Sequence, residues 1–158
     1  MRVIKVLLVA GMALFLTFAV LGNVSMPQIG FGAVKTAVSM ETTFQHPGAM
    51  WRAITNPALL YVIFGGIVLG EALAGAVCWA GAARMFAARR DPRAFESAKS
   101  TAVLGLGIAA ALYFIGWLVV AQEWFEMWQS QKLNVLQDAF RMFASALLII
   151  LVVGKKDD

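Results

Sequence analysis
Four apolar stretches separated by polar breaks organise this chain. The first extends from Val6 to Leu21 behind the basic residues Arg2 and Lys5, the pattern of a signal sequence or of a first membrane-spanning helix. The run is long for the apolar core of a signal sequence, and Gly22 makes a poor cleavage site, so an uncleaved helix over about 3–22 is predicted. Residues 23–56 then carry Asn, Ser, Pro, Gln, Lys, Glu, Thr and His with no run long enough to cross a bilayer, and read as a loop outside it. Within that loop Ile29, Ala33, Thr36, Ala37, Met40 and Phe44 recur at helical spacing, with Lys35 and Glu41 elsewhere. They predict either a short amphipathic helix lying in the interface over about 29–44 or a segment simply buried against the protein.

Asn56-Pro57 is a helix start with a mechanism. Asn caps the free amides, and Pro at the first helical position gives up no hydrogen bond. A second spanning helix is predicted over about 58–86. The stretch RMFAARRDPRAFESAK then interrupts the apolar pattern with Arg84, Arg89, Arg90, Arg93 and Lys99, before a third helix over about 100–122. A short aromatic connector, 123–134, leads to a fourth helix over about 135–153, which stops at Gly154 ahead of the tail Lys155-Lys156-Asp157-Asp158.

Composition turns these stretches into membrane spans. Of 158 residues, 61% are hydrophobic and only 14% charged, against roughly half and a quarter in soluble domains. The chain reads as one integral membrane domain, 1–158, with no length left for a separate catalytic unit. The net charge of +4 does not point to nucleic acid, because the 13 Lys and Arg residues are spread over chain ends and loops rather than gathered on one face. The lone Cys78 has no disulfide partner. With His46 the sole histidine, neither the two axial ligands of a haem b nor the four N/S ligands of a structural zinc are available, so no cofactor and no metal are expected. Arg2, Lys5, the basic cluster and the terminal lysines fall on one side of four spans, which predicts both termini in the cytoplasm. The fold class expected is an all-α membrane protein, a four-transmembrane-helix bundle with a long first outer loop.

Three groups of residues are candidates for function. In the second helix Gly66, Gly70, Ala74, Cys78 and Ala82 recur every fourth residue, a seam of small side chains that lets another backbone approach, from the third helix or from another protein. Beside it stands Glu71, an ionisable residue near mid-span, which must be protonated, paired or facing water. Glu71 lies roughly 20 Å from the inner end of its helix and Arg141 roughly 18 Å from that of the fourth, so the two are expected to meet in a buried polar network. A local pair between Asp138 and Arg141 is the alternative. At the outer boundary, EWFEMWQS carries Glu123 and Glu126, three apart, and Trp124 and Trp128, four apart. Interface anchoring by the tryptophans is favoured over an acid/base pair, with Trp51 and Arg52 of the first loop packing there or pairing with Glu123 or Glu126.

The segments MWRAITNP (50–57), the acid-bearing second helix, EWFEMWQS (123–130) and AFRMF (139–143) resemble a bacterial family of predicted small integral membrane proteins, domain of unknown function 2165, over most of the chain from about residue 23. The resemblance implies four spans and a bacterial inner-membrane location, and supplies no activity. The family's first outer loop tends to carry Asp, Asn and His where this chain has Met26, Gly30 and Thr36, and Asp where it has Glu41; Trp51, Arg52, Glu71, Glu123, Trp124 and Trp128 match. The plan is also similar to that of claudins, without their paired loop cysteines. The function expected is that of a non-catalytic accessory subunit in a larger membrane complex (respiratory, photosynthetic or transport machinery), with the bilayer and other membrane subunits as partners. A small transporter or channel using Glu71 comes second, and an enzyme using Glu123 or Glu126 third.

Overall fold
The computed structural model describes residues 1–157; Asp158, the end of the predicted tail, lies outside them. Its helices are α1 (Arg2–Ser25), α2 (Pro27–Ser39), α3 (Pro57–Ala87), α4 (Pro92–Ala111) and α5 (Leu136–Gly154). Leu112–Trp124 continues α4 in π-helical register, and single 3-10 turns stand at Met50–Arg52 and Met127–Gln129. Four segments are long and apolar enough to cross a membrane: α1, α3, α4 with its π continuation, and α5. The chain is an all-helical, multi-pass membrane bundle.

Two helices begin by the same device. The Asn56 side chain accepts from the amides of Ala58 (2.9 Å) and Leu59 (3.4 Å) ahead of Pro57. Asp91 accepts from Arg93 (2.9 Å) and Ala94 (3.3 Å) ahead of Pro92. The third span therefore starts near 92 and not near 100: of the basic residues expected in the connector, Arg84 belongs to the last turn of α3, Arg93 and Lys99 to the first turns of α4, and only 88–91, with Arg89 and Arg90, is left as a turn.

The first span is broken rather than followed by plain loop. Pro27 has no amide to give, Met26 leaves the helical region at φ −130° and ψ 60°, and α2 restarts immediately. Its residues Val34, Ala37 and Val38 are buried, and Phe31 stacks on Tyr61 of α3 with ring centroids 4.5 Å apart. Of the face predicted over 29–44, Ala37 and Met40 thus pack on protein while Ile29 and Phe44 are exposed, and the helix ends earlier, at a left-handed Met40 (φ 55°).

Side-chain size decides the packing of the spans, since lipid offers apolar side chains no less than a neighbouring helix does. A Cβ on Gly81 would stand 2.5 Å from Ala102 Cα, and one on Gly105 would stand 2.7 Å from Cys78 N, so α3 and α4 cross nearly backbone to backbone. Gly75 similarly receives Leu16 of α1, at 3.2 Å. The predicted seam is used unevenly. Ala74, Cys78 and Ala82 are buried and Gly70 meets Leu112, whereas Gly66 is exposed with open space around it.

Candidate functional site
Polar side chains gather at three levels of the bundle. At the end where the termini meet, Asp157 accepts from Lys5 Nζ at 2.7 Å and pairs with Lys99 Nζ at 2.8 Å. Both lysines also donate to the Lys155 carbonyl, and Lys99 pairs with Glu96 at 2.7 Å. All three members of the triad are nearly enclosed, Asp157 keeping 4% of its side-chain surface. Burial pushes the Asp157 carboxyl up, but the hydrogen bonds from Lys5 and Lys99 outweigh it and hold the carboxyl below its usual value. Sequence reasoning missed this triad, placing Asp157 in a tail and Lys5 and Lys99 among topological charges.

At the opposite end, the EWFEMWQS connector is tied to the first loop. Arg52 Nη2 donates to Glu126 Oε1 at 2.7 Å, and its guanidinium lies 5.4 Å from the Trp124 ring centre. Trp51 meets Trp124 edge-on at 5.7 Å, and Phe44 meets Trp128 in the same way at 6.2 Å. Gln129 donates to Glu126 (3.0 Å) and accepts from the Phe44 amide (2.9 Å), while the Thr42 and Ser130 hydroxyls bond at 2.7 Å. Glu123, by contrast, is exposed and bonds its neighbour Gln122. Of the two carboxylates, only Glu126 is drawn into the loop contacts. The tryptophans Trp51, Trp124 and Trp128 each remain about half exposed or more, the pattern of rings seated at a membrane surface.

Between these ends lies Glu71, with 6% of its surface exposed. Its carboxylate accepts from Asn23 Nδ2 of α1 at 3.0 Å and from the Tyr113 hydroxyl, at the start of the π segment, at 3.2 Å. The expected meeting with Arg141 does not occur. Arg141 instead donates to Asp138 one turn away at 3.0 Å, both side chains being about 70% exposed or more. Counting residues along the two helices matches Glu71 with Arg141 in level, but helical rise alone carries no information about direction around a helix. Asp138 does line the same cavity as Glu71, about 260 Å³, together with Asn23, Phe15, Phe64 and Trp117. Gly30 belongs to this arrangement: a Cβ there would overlap the Asn23 side chain and stand 2.8 Å from Phe64. Asn23 and Tyr113 carried no sequence signal as partners, one being read as loop and the other as plain span.

Among the described residues, no three His, Cys, Asp or Glu side chains converge as a metal site would require. No curated protein and no solved structure matches this chain. A family model does match, over residues 1–156, which extends the likeness through the first span as well. With its four apolar spans, its buried acid and its tryptophan-lined connector, the chain belongs to the family described as predicted small integral membrane proteins, domain of unknown function 2165.

Proposed function
We propose that the protein is a non-catalytic accessory subunit of a larger complex in the bacterial inner membrane, docked through the outward face of α3. The observation that carries this reading is the unspent part of the small-residue seam. Gly66 has open space where a Cβ would stand, and it lies in an exposed row with Val62, Leu69, Leu73, Ala76 and Ala80, spaced alternately four and three residues apart. That spacing keeps one stripe of a helix toward a neighbour, and the glycine and alanines let a neighbouring backbone come close. Both termini are assigned to the cytoplasm because Arg84, Arg89, Arg90, Arg93 and the terminal lysines cluster at their end. A non-catalytic role is supported by the outer carboxylates: Glu126 is held by Arg52 and Gln129, and Glu123 faces outward.

Purification of the tagged protein from native membranes in mild detergent, with mass spectrometry of what remains bound, tests this. A stoichiometric membrane partner is expected with the native chain and lost with Gly66→Leu, a change the fold itself accommodates. Recovery of a homo-oligomer alone, or a partner retained equally by the variant, rules the reading out. A second reading, a small transporter or channel, is favoured by one observation: Glu71 faces cavities on two sides, of about 260 and 280 Å³. Proton or ion flux in proteoliposomes that is abolished by Glu71→Gln is its test.

A further inference from the structure
The Glu71 cavity has an unusual polar balance for a membrane interior. Its acidic lining residues are Glu71 and Asp138, and no Lys, Arg or His lines it. Arg141, the partner of Asp138, lies against a separate cavity with Leu118 and Phe140. The donors that reach Glu71, from Asn23 and Tyr113, are directed at its carboxylate. An entering group therefore meets the oxygens of Glu71, an Asp138 paired with Arg141, and the aromatic side chains of Phe15, Phe64 and Trp117. A carboxylate suits positive charge, and so does an aromatic lining.

Beside this cavity is another, of about 520 Å³, between α2, α3 and the π segment. Val34, Ile67 and Trp117 line both, so the two adjoin, and apart from those the larger is lined by apolar residues such as Ile63, Val120 and Phe125. Its size falls within the roughly 300–1,000 Å³ of ordinary ligand pockets. A hydrated inorganic cation has no use for such walls, and two carboxylates are far from the six to eight oxygens that calcium takes. We propose that the paired cavities bind a lipophilic organic monocation, with its charge beside Glu71 and its apolar body between α2, α3 and the π segment. The site stands apart from the α3 docking face, since Gly66 lines neither cavity.

Equilibrium binding to the purified protein in nanodiscs provides the test, with decyltrimethylammonium below its micelle concentration as the probe, its charge at one end of an apolar body, and decyl sulfate, of the same build with opposite charge, as its control. Saturable 1:1 binding of the cation is expected, with no saturable binding of the anion. Glu71→Gln, which keeps hydrogen-bonding atoms for Asn23 and Tyr113, should weaken cation binding at least tenfold. Ile67→Trp enlarges a side chain that lines both cavities without changing charge and should weaken it as much. If Glu71→Gln loses its folded near-ultraviolet circular dichroism, Ile67→Trp decides the matter. Absence of saturable cation binding, equal binding of both probes, or unchanged affinity in a folded variant each overturns the proposal.

Discussion

Glu71 shows how much a single residue asks of its surroundings. A carboxylate at mid-span costs about 2.5–3.5 kcal/mol on insertion scales, and the chain meets this with Asn23 and Tyr113 from two other spans. Glu71→Ala leaves both donors without an acceptor, and a loss of about 1–2 kcal/mol is expected in thermal or denaturant unfolding in detergent, with Glu71→Gln losing less. Glycines divide just as sharply. Gly81→Val pushes a side chain into the Ala102 backbone and is expected to cost about 3 kcal/mol or more, while Gly66→Leu, which meets open space, leaves the melting temperature unchanged. Melting both variants side by side checks the contrast. The identity of Glu71 as an exception was legible in the sequence, because charge is rare in an apolar run. Its partners were not, because position along a helix is countable from residue numbers whereas the rotation of one helix against another depends on packing.

Among the elements, the helix starts were written in a code that charge obscured. Asn56-Pro57 and Asp91-Pro92 cap their helices identically, but the arginines around Asp91 read as loop, and a turn and a half or more of α4 was lost to that reading. The π register of Leu112–Trp124 has no counterpart in residue periodicity. The tie between α5 and the first helix was equally hidden, since Lys5 and Asp157 lie 152 residues apart. This tie makes a pH prediction. The folded state binds the Asp157 proton more weakly than the unfolded chain does, so the stabilisation is complete above about pH 4 and is lost as the pH falls through the lowered value. Spin labels placed by Val3→Cys and Lys156→Cys, in a Cys78→Ala background, are expected to hold one short distance at pH 7 and to spread as the pH falls through the lowered Asp157 value. Asp157→Ala should spread them at pH 7 as well, because it leaves two buried ammonium groups side by side.

For the whole molecule, the four-span plan was legible because about twenty apolar residues are a requirement that few other structures share. The proposed orientation, both termini inside, rests on where the basic residues collect, and is tested by labelling intact cells with a membrane-impermeant maleimide in the Cys78→Ala background. Phe44→Cys, in the outer loop and well exposed, is expected to react, and Lys156→Cys to react only after the membrane is opened. The triad at the terminal end also bears on how the protein is made. Lys5 enters the bilayer with the first helix, but its carboxylate partner is synthesised 152 residues later, roughly eight to thirty seconds at ordinary translation rates. During that interval its ammonium group must stay among headgroups and water, at the end of an extended side chain. The terminal end of the first helix is thus kept at the membrane surface by its own lysine until the last helix arrives, and the tie to Asp157 closes only after that residue has been made.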